Sequence, residues 1–298
     1  MVTYSAPGKI FLFGEHAVVY GEPAIACAID LRAHVTAQKH SEVVITSKLG
    51  RGEGKHQYVS KAIKKIGELT ELDGVRIVID SKIPVGGGLG SSAAVTIATL
   101  AALNEEFGAG LNKEEIARLG YSIEKEVQGA ASPTDTYVST MGGVVLIPAK
   151  KRLRNLDCEI VIGDTGKSSS TRGLVQQVRV LKDNHPEIIE PIFSSIGNLA
   201  KKGEVLVEKG DCNAVGELMN VNQGLLESLG VGCAELSALV YAARGAGAIG
   251  AKLTGAGGGG CMVALADKMY VEGVASAIES AGGTPIKSKI TETGVRRE

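Results

Sequence analysis

Ile83-Pro84-Val85-Gly86-Gly87-Gly88-Leu89-Gly90-Ser91-Ser92-Ala93-Ala94 joins two segments of opposite character. Before it, Val75-Arg76-Ile77-Val78-Ile79-Asp80 alternates with a period of two and reads as a strand. After it, Ala93 to Leu103 is Ala-rich and apolar on every side, the pattern of a buried helix. The unit is therefore a strand, a glycine loop and a helix start. Four of the five residues from Gly86 to Gly90 are glycine, so the backbone can turn its amides inward. Ser91 and Ser92 stand at the helix N-terminus, where unpaired N–H groups and the helix dipole favour an anion. The stretch reads as a phosphate cradle with two hydroxyls beside it. The plain alternative is a turn closed by a serine cap, but such a turn needs one or two glycines rather than four.

Two common phosphate motifs are excluded. No lysine follows Gly90, as a P-loop requires, and Ser91 occupies the place of the last glycine in G-x-G-x-x-G. Instead the segment resembles the central motif of the GHMP kinases, P-x-x-x-G-L-G-S-S-A, matched at Pro84 and from Gly88 to Ala93. That superfamily includes galactokinases, homoserine kinases, mevalonate kinases and phosphomevalonate kinases. The resemblance implies that Pro84, Gly86, Gly87, Gly88, Leu89, Gly90, Ser91, Ser92 and Ala93 surround the phosphates of ATP.

Working back toward the N-terminus, Ser5 to Gly21 contains the punctuation Pro7-Gly8 and a short apolar strand, Ile10 to Phe13. Lys9 lies at the mouth of that strand, and Glu15-His16 follow its end. Taken alone, these are a solvated flank and a turn. The run also resembles the first motif of mevalonate kinases, which begins A-P-G-K and continues G-E-H-A-V-V-x-G; galactokinases carry an Arg-rich version. The resemblance implies a catalytic role for Lys9 and substrate contacts for Glu15 and His16.

Working forward, Asn112-Lys113-Glu114-Glu115 offers an N-cap with a capping-box glutamate. Ile116, Leu119, Ile123 and Val127 form the buried stripe, and Gly129 can end the helix. Glu124 falls at the border of that stripe, where a carboxylate either meets solvent or faces a cleft. Next, Ser132-Pro133-Thr134-Asp135 permits a local reading: Ser132 as N-cap, Pro133 at the first helical position and Asp135 completing a capping box. The same piece resembles S-G-x-D-x-x-x-S-T of the mevalonate kinases, with Pro133-Thr134 in place of Gly-Val. There the aspartate accepts the proton of the substrate hydroxyl. In that family an acidic Mg²⁺ ligand precedes the aspartate by eleven positions, as Glu124 precedes Asp135. The resemblance thus implies Asp135 as the catalytic base, with Ser92 and Glu124 at Mg²⁺.

Beyond Gly143 the chain runs through a strand, a basic segment at Lys150–Arg154, and helices from Thr171 to Arg244 broken near Pro186, Gly210 and Gly230. Thr171 matches a substrate threonine of the family, whereas Ser169 stands where many relatives have arginine. In Lys252-Leu253-Thr254-Gly255-Ala256-Gly257-Gly258-Gly259-Gly260-Cys261 the spacing G-x-G-x-x-G appears, but a strand follows instead of a helix. The run resembles the third GHMP motif, which supports the phosphate loop, and Gly257 joins the implied substrate contacts.

Composition agrees with a soluble globular chain: 298 residues, 44% hydrophobic, 22% charged, net charge −1. Without a basic field, neither nucleic acid nor a membrane surface is expected as partner. Five scattered cysteines with no C-x-x-C spacing read as reduced, with no zinc. The N-terminus has no signal-peptide pattern, so a cytoplasmic protein is expected. The fold implied by the resemblance is α+β and two-domain. Residues 1–153 carry the phosphate loop on a β-α-β unit; residues 154–298 are ferredoxin-like; the cleft lies between. The activity implied is ATP- and Mg²⁺-dependent phosphorylation of mevalonate on its C5 hydroxyl, by a homodimer, with phosphomevalonate kinase as the alternative.

Overall fold

The computed structural model describes residues 1–48, 50–51, 56–129 and 132–298. The loop expected over Lys48–Lys55 falls largely outside them. Among the described residues the first sheet has eight strands: β1 (Val2–Phe13), β2 (Ala24–Lys39), β3 (Val44–Ser47), β4 (Gly50–Arg51), β5 (Val75–Ser81), β6 (Val144–Ile147), β7 (Lys151–Leu153) and, from the far end of the chain, β12 (Arg296–Arg297). The order is β12-β1-β2-β5-β3-β4. Two strands share one side of β2: β6 pairs with Ala24–Cys27 and β5 with Ala33–Lys39. Both run antiparallel to β2, and therefore parallel to each other.

The crossover between β5 and β6 holds three helices, α2 (Ser91–Phe107), α3 (Lys113–Gln128) and α4 (Thr134–Met141). So the expected β-α-β unit exists in enlarged form. α2 is its axle: Ala93, Ala94 and Ile97 to Leu103 are buried, as a helix apolar on every side must be. α1 (Gln57–Gly67) and α3 pack around it. The α3 capping box forms as expected, with Asn112 Oδ1 accepting from Glu115 N at 3.0 Å and Glu115 accepting from Asn112 N at 2.8 Å.

β1 differs from expectation. Pro7-Gly8 does not break it; the strand runs from Val2, and its register against β2 shifts between Pro7 and Gly8. A register irregularity is where a strand tolerates an imino acid. Gly8 is needed for a different reason, since a Cβ there would lie 2.9 Å from the carbonyl oxygen of Leu89. The phosphate loop rests on this strand.

The second sheet is antiparallel, in the order β11-β8-β10-β9, from β8 (Glu159–Asp164), β9 (Gly250–Leu253), β10 (Cys261–Ala266) and β11 (Thr284–Ser288). α8 (Ala234–Gly245) precedes β9 and α9 (Val271–Ser280) precedes β11, which gives the ferredoxin-like succession. Val161, Met262 and Ala264 face these two helices, while Ile160, Ile162, Val263 and Leu265 face the core shared with β1. The remaining helices, α5 (Thr171–Asn184), α6 (Pro186–Lys209) and α7 (Cys212–Ser228), bridge the two sheets. α6 comes close because it is small where it touches: a Cβ on Gly203 would lie 2.5 Å from the Phe13 ring. On the same helix Phe193 stacks on Tyr20, centroids 4.3 Å apart. After β11 the chain returns to the first sheet, with Thr291 N donating to Ala28 O before β12 pairs with β1.

Candidate active site

A cavity of about 550 Å³ lies where the two sheets meet. Its floor is the glycine loop. Gly86, Gly88 and Gly90 have φ of +74°, +76° and +70°, the left-handed region that glycine enters without strain. The serine cap considered above does not form. Gly90 itself is the N-cap of α2, and no side chain accepts from the first turn, so those amides keep their hydrogen-bonding capacity for a ligand. Pro84, Gly86, Gly87, Gly88, Gly90, Ser91 and Ser92 line the cavity. Leu89 and Ala93 do not; both are fully buried and anchor the loop from behind.

The second glycine run is pressed against the first. A Cβ on Gly88 would lie 2.4 Å from Thr254 O, and one on Gly255 would lie 2.7 Å from Gly88 Cα. Cys261 N donates to Gly87 O at 3.0 Å, which ties the loop to β10. Burial pushes the Cys261 thiol pKa up, so it behaves as an inert wedge.

Lys9 is the hub. Its amide donates to Leu89 O at 2.9 Å, and its Nζ donates to Gly88 O at 3.1 Å. The same Nζ sits 3.3 Å from Asp135 Oδ1 and 4.2 Å from the centroid of the Phe11 ring. Its side chain is 2% exposed; that of Asp135 is 28% exposed and faces the cavity. One cation therefore joins the loop to the carboxylate. The capping-box alternative for Asp135 is overturned. Pro133 is the N-cap of α4 without a side-chain bond, and Ser132 Oγ lies 2.6 Å from Thr134 Oγ1 and accepts from Thr134 N at 3.3 Å rather than from Asp135 N. The partner available 3.3 Å away on Lys9 is charged, and a charged partner outcompetes a single backbone N–H.

Glu124 and Ser92 meet at the loop's edge, with Ser92 Oγ donating to Glu124 Oε1 at 3.3 Å. Glu124, expected at the border of the α3 stripe, is buried and faces the cleft. Burial first, and the neighbouring Asp135 charge second, push its carboxyl up to about 8, against Lys9 and Ser92. Two acidic groups and one lysine leave this corner short of positive charge.

Behind it, Glu15 is almost fully buried and ion-paired with Lys252, and Asn222 Nδ2 donates to its Oε2 at 3.2 Å. Lys252 also donates to Leu253 O at 2.6 Å. His16 has φ +61° and a buried ring that borders the cavity. Its Nε2 contacts Ala256 O at 2.9 Å, and burial pushes its pKa down, so the ring is neutral and Nε2–H is the donor. Thr171, the first residue of α5, lines the cavity from the second half of the chain, as do Gly255 and Ala256. Gly257 does not: it is buried against Val231, whose carbonyl oxygen a Cβ would meet at 2.1 Å. It shapes the ribbon from behind the cavity lining.

Sequence reading missed the far end of the cavity, walled by His56, Tyr58, Ile79 and Val85. It also missed Lys252. A lysine inside the apolar run of β9 was the available signal, because a charge there needs a buried partner.

Family models agree with this geometry. The model described as GHMP kinases N terminal domain matches residues 57–143, and the one described as GHMP kinases C terminal matches residues 204–284. The mevalonate kinase of Thermococcus onnurineus (strain NA1) is 45% identical, across 100% of this chain and 98% of that protein. Among solved structures, the Methanococcus jannaschii mevalonate kinase matches with a TM-score of 0.84 at 30% identity, covering 97% of this chain and 98% of the other. The L. major mevalonate kinase in complex with R-mevalonate gives 0.85 at 25% identity, covering 97% and 96%.

Proposed function

This chain belongs to the GHMP kinases, in their mevalonate kinase branch, and from that membership we propose that its cavity transfers the γ-phosphoryl group of ATP to the C5 hydroxyl of mevalonate. The products are 5-phosphomevalonate and ADP, a step toward isoprenoids. The observation that carries the reading is the position of Lys9 Nζ, within 3.3 Å of Asp135 Oδ1 and 3.1 Å of Gly88 O. A phosphoryl transfer needs a base at the acceptor and a cation between acceptor and donor, and one lysine bridges the two.

In this reading the amides of Gly86 to Gly90 and the first turn of α2 hold the phosphate oxygens. Asp135 accepts the hydroxyl proton as the oxygen attacks phosphorus. Lys9 stabilises the negative charge that builds on the attacking oxygen and on the transferred group. His16 and Thr171 orient the acceptor, and Glu15, locked by Lys252 and Asn222, fixes the backbone that presents His16. Ser92 and Glu124 fit a magnesium ion: their oxygens are hard donors, and a cation there offsets the crowding of Glu124 against Asp135. When bound, the ion neutralises phosphate charge during transfer. We keep residues 1–153 and 154–298 as the two domains, with β12 crossing back, and a cytoplasmic homodimer as the working form. No helix among the described residues is long and apolar enough to cross a membrane.

Phosphomevalonate, the alternative acceptor, needs further cations beside the site. The test is a coupled ADP-release assay with mevalonate, phosphomevalonate, homoserine and galactose. Mevalonate is expected to be preferred by at least roughly tenfold in kcat/KM, since one unmatched buried polar contact discriminates by that much. Comparable turnover of phosphomevalonate overturns the reading.

A further inference from the structure

A groove of about 560 Å³ opens beside the catalytic cavity, and Val19, Gln128, Thr171 and Val175 border both. α5 forms its long wall. Thr171, Val175, Arg179 and Lys182 recur at helical spacing on the groove side, while Val178 and Leu181 turn into the core. Arg172 extends the same wall next to the shared residue Thr171. Two of the three cations here have a carboxylate nearby: Arg179 Nε lies 4.0 Å from Asp183 Oδ2, and Lys182 Nζ lies 3.1 Å from Glu190 Oε1. Arg172 has no ionic or hydrogen-bonding partner among the described residues.

Among the described residues, every cation that lines the catalytic cavity is engaged. Lys9 serves Asp135 and Gly88 O. His16 is neutral, its Nε2–H spent on Ala256 O. Lys48 pairs with Asp80 at 3.2 Å, and His56 Nε2 contacts Gly50 O at 3.2 Å. Lys252 is sealed against Glu15. Mevalonate is a hydroxy acid whose carboxylate lies at the opposite end from its C5 hydroxyl. With that hydroxyl at Asp135, the carboxylate needs a cation further along the cleft.

We propose that Arg172 binds the carboxylate of the acceptor, so that the groove beside α5 is the acid end of the substrate site. A guanidinium suits the role, because its planar fork matches a carboxylate in two hydrogen bonds. The assignment rests on the mevalonate reading above and adds to it the residue that selects an acid over a neutral alcohol.

Steady-state kinetics on wild type, Arg172→Gln and Arg172→Lys, with mevalonate and with its uncharged primary amide, test the assignment. Arg172→Gln is expected to raise KM for mevalonate about ten- to a hundredfold, the worth of a hydrogen-bonded charge pair. The KM for ATP and the melting temperature stay put, and Arg172→Lys recovers part of the loss. The amide, with no charge to bind, has the same KM in all three enzymes. An unchanged KM for mevalonate in Arg172→Gln, with wild type active, overturns the arginine assignment and leaves the reaction standing. Equal increases for acid and amide also overturn it, since Arg172 then shapes the groove without reading charge. A wild type that does not turn over mevalonate removes the reaction, and the assignment with it.

Discussion

Lys9 and Lys252 each pair with a carboxylate, and the two pairs lie in one site, yet they are built for different ends. Asp135 is 28% exposed at the cavity surface, whereas the Lys252 and Glu15 side chains are 0% and 1% exposed. An open carboxylate can meet a substrate and exchange a proton. A sealed pair can only hold its surroundings in place, and the loss of either member strands a charge in the interior. Burial pushes the Lys252 ammonium pKa down, and the Glu15 charge beside it opposes that shift. The same two residue types thus divide chemistry from architecture according to access to solvent.

The largest expected effect tests the open pair. Asp135→Asn keeps the size of the side chain and its ability to accept a hydrogen bond, but removes the base. Its kcat is expected to fall by on the order of 10²–10⁴ with nearly unchanged melting and intact ATP binding. Retention of more than about a tenth of wild-type kcat would be too much for a lost general base. The sealed pair should fail differently. Lys252→Met leaves Glu15 uncompensated, and chemical denaturation is expected to show a loss of about 3–5 kcal/mol. Adding Glu15→Gln should restore part of that stability, because the stranded charge is gone; if the double variant is no more stable than Lys252→Met, the pair is not the source of the loss. The smallest effect concerns what the open pair has beside it. Glu124→Gln is expected to raise the Mg²⁺ concentration for half-maximal rate by roughly tenfold or more and to lower the maximum, since even an outer-sphere partner matters that much to a bound metal. Wild-type Mg²⁺ dependence in this variant would remove Glu124 from the metal site.

Much of this was legible in the chain because its signals are local. The breaks expected near Pro186, Gly210 and Gly230 separate α5 to α8, and Gly108 and Gly129 end α2 and α3 in the left-handed conformation. The glycine loop stood out because four positions lack side chains where one or two suffice for a turn. Apart from Pro7-Gly8, which β1 runs through, what the chain did not reveal is non-local. Local chemistry alone would have made Asp135 a capping residue; it was the family resemblance that pointed to the cleft, where Lys9, far off in the sequence, lies beside it. Gly257 shares a motif with Gly255 and Ala256, yet a turn of backbone separates it from the cavity they line. Lys252 and Glu15 are 237 positions apart, and neither says alone which partner will neutralise it. β12 is two residues long and gains its place only from the edge that β1 offers.

The contact between the two glycine runs has a thermodynamic consequence. Fixing the backbone of a free loop costs about 1–2 kcal/mol per residue, so immobilising Gly86 to Gly90 on nucleotide arrival would cost on the order of 5–10 kcal/mol. Here backbone already lies on backbone, with Cys261 N bonded to Gly87 O and no room for a Cβ between Gly88 and Thr254. That ordering cost belongs to folding, not to association, and the nucleotide meets a receptor whose configurational entropy has little left to lose.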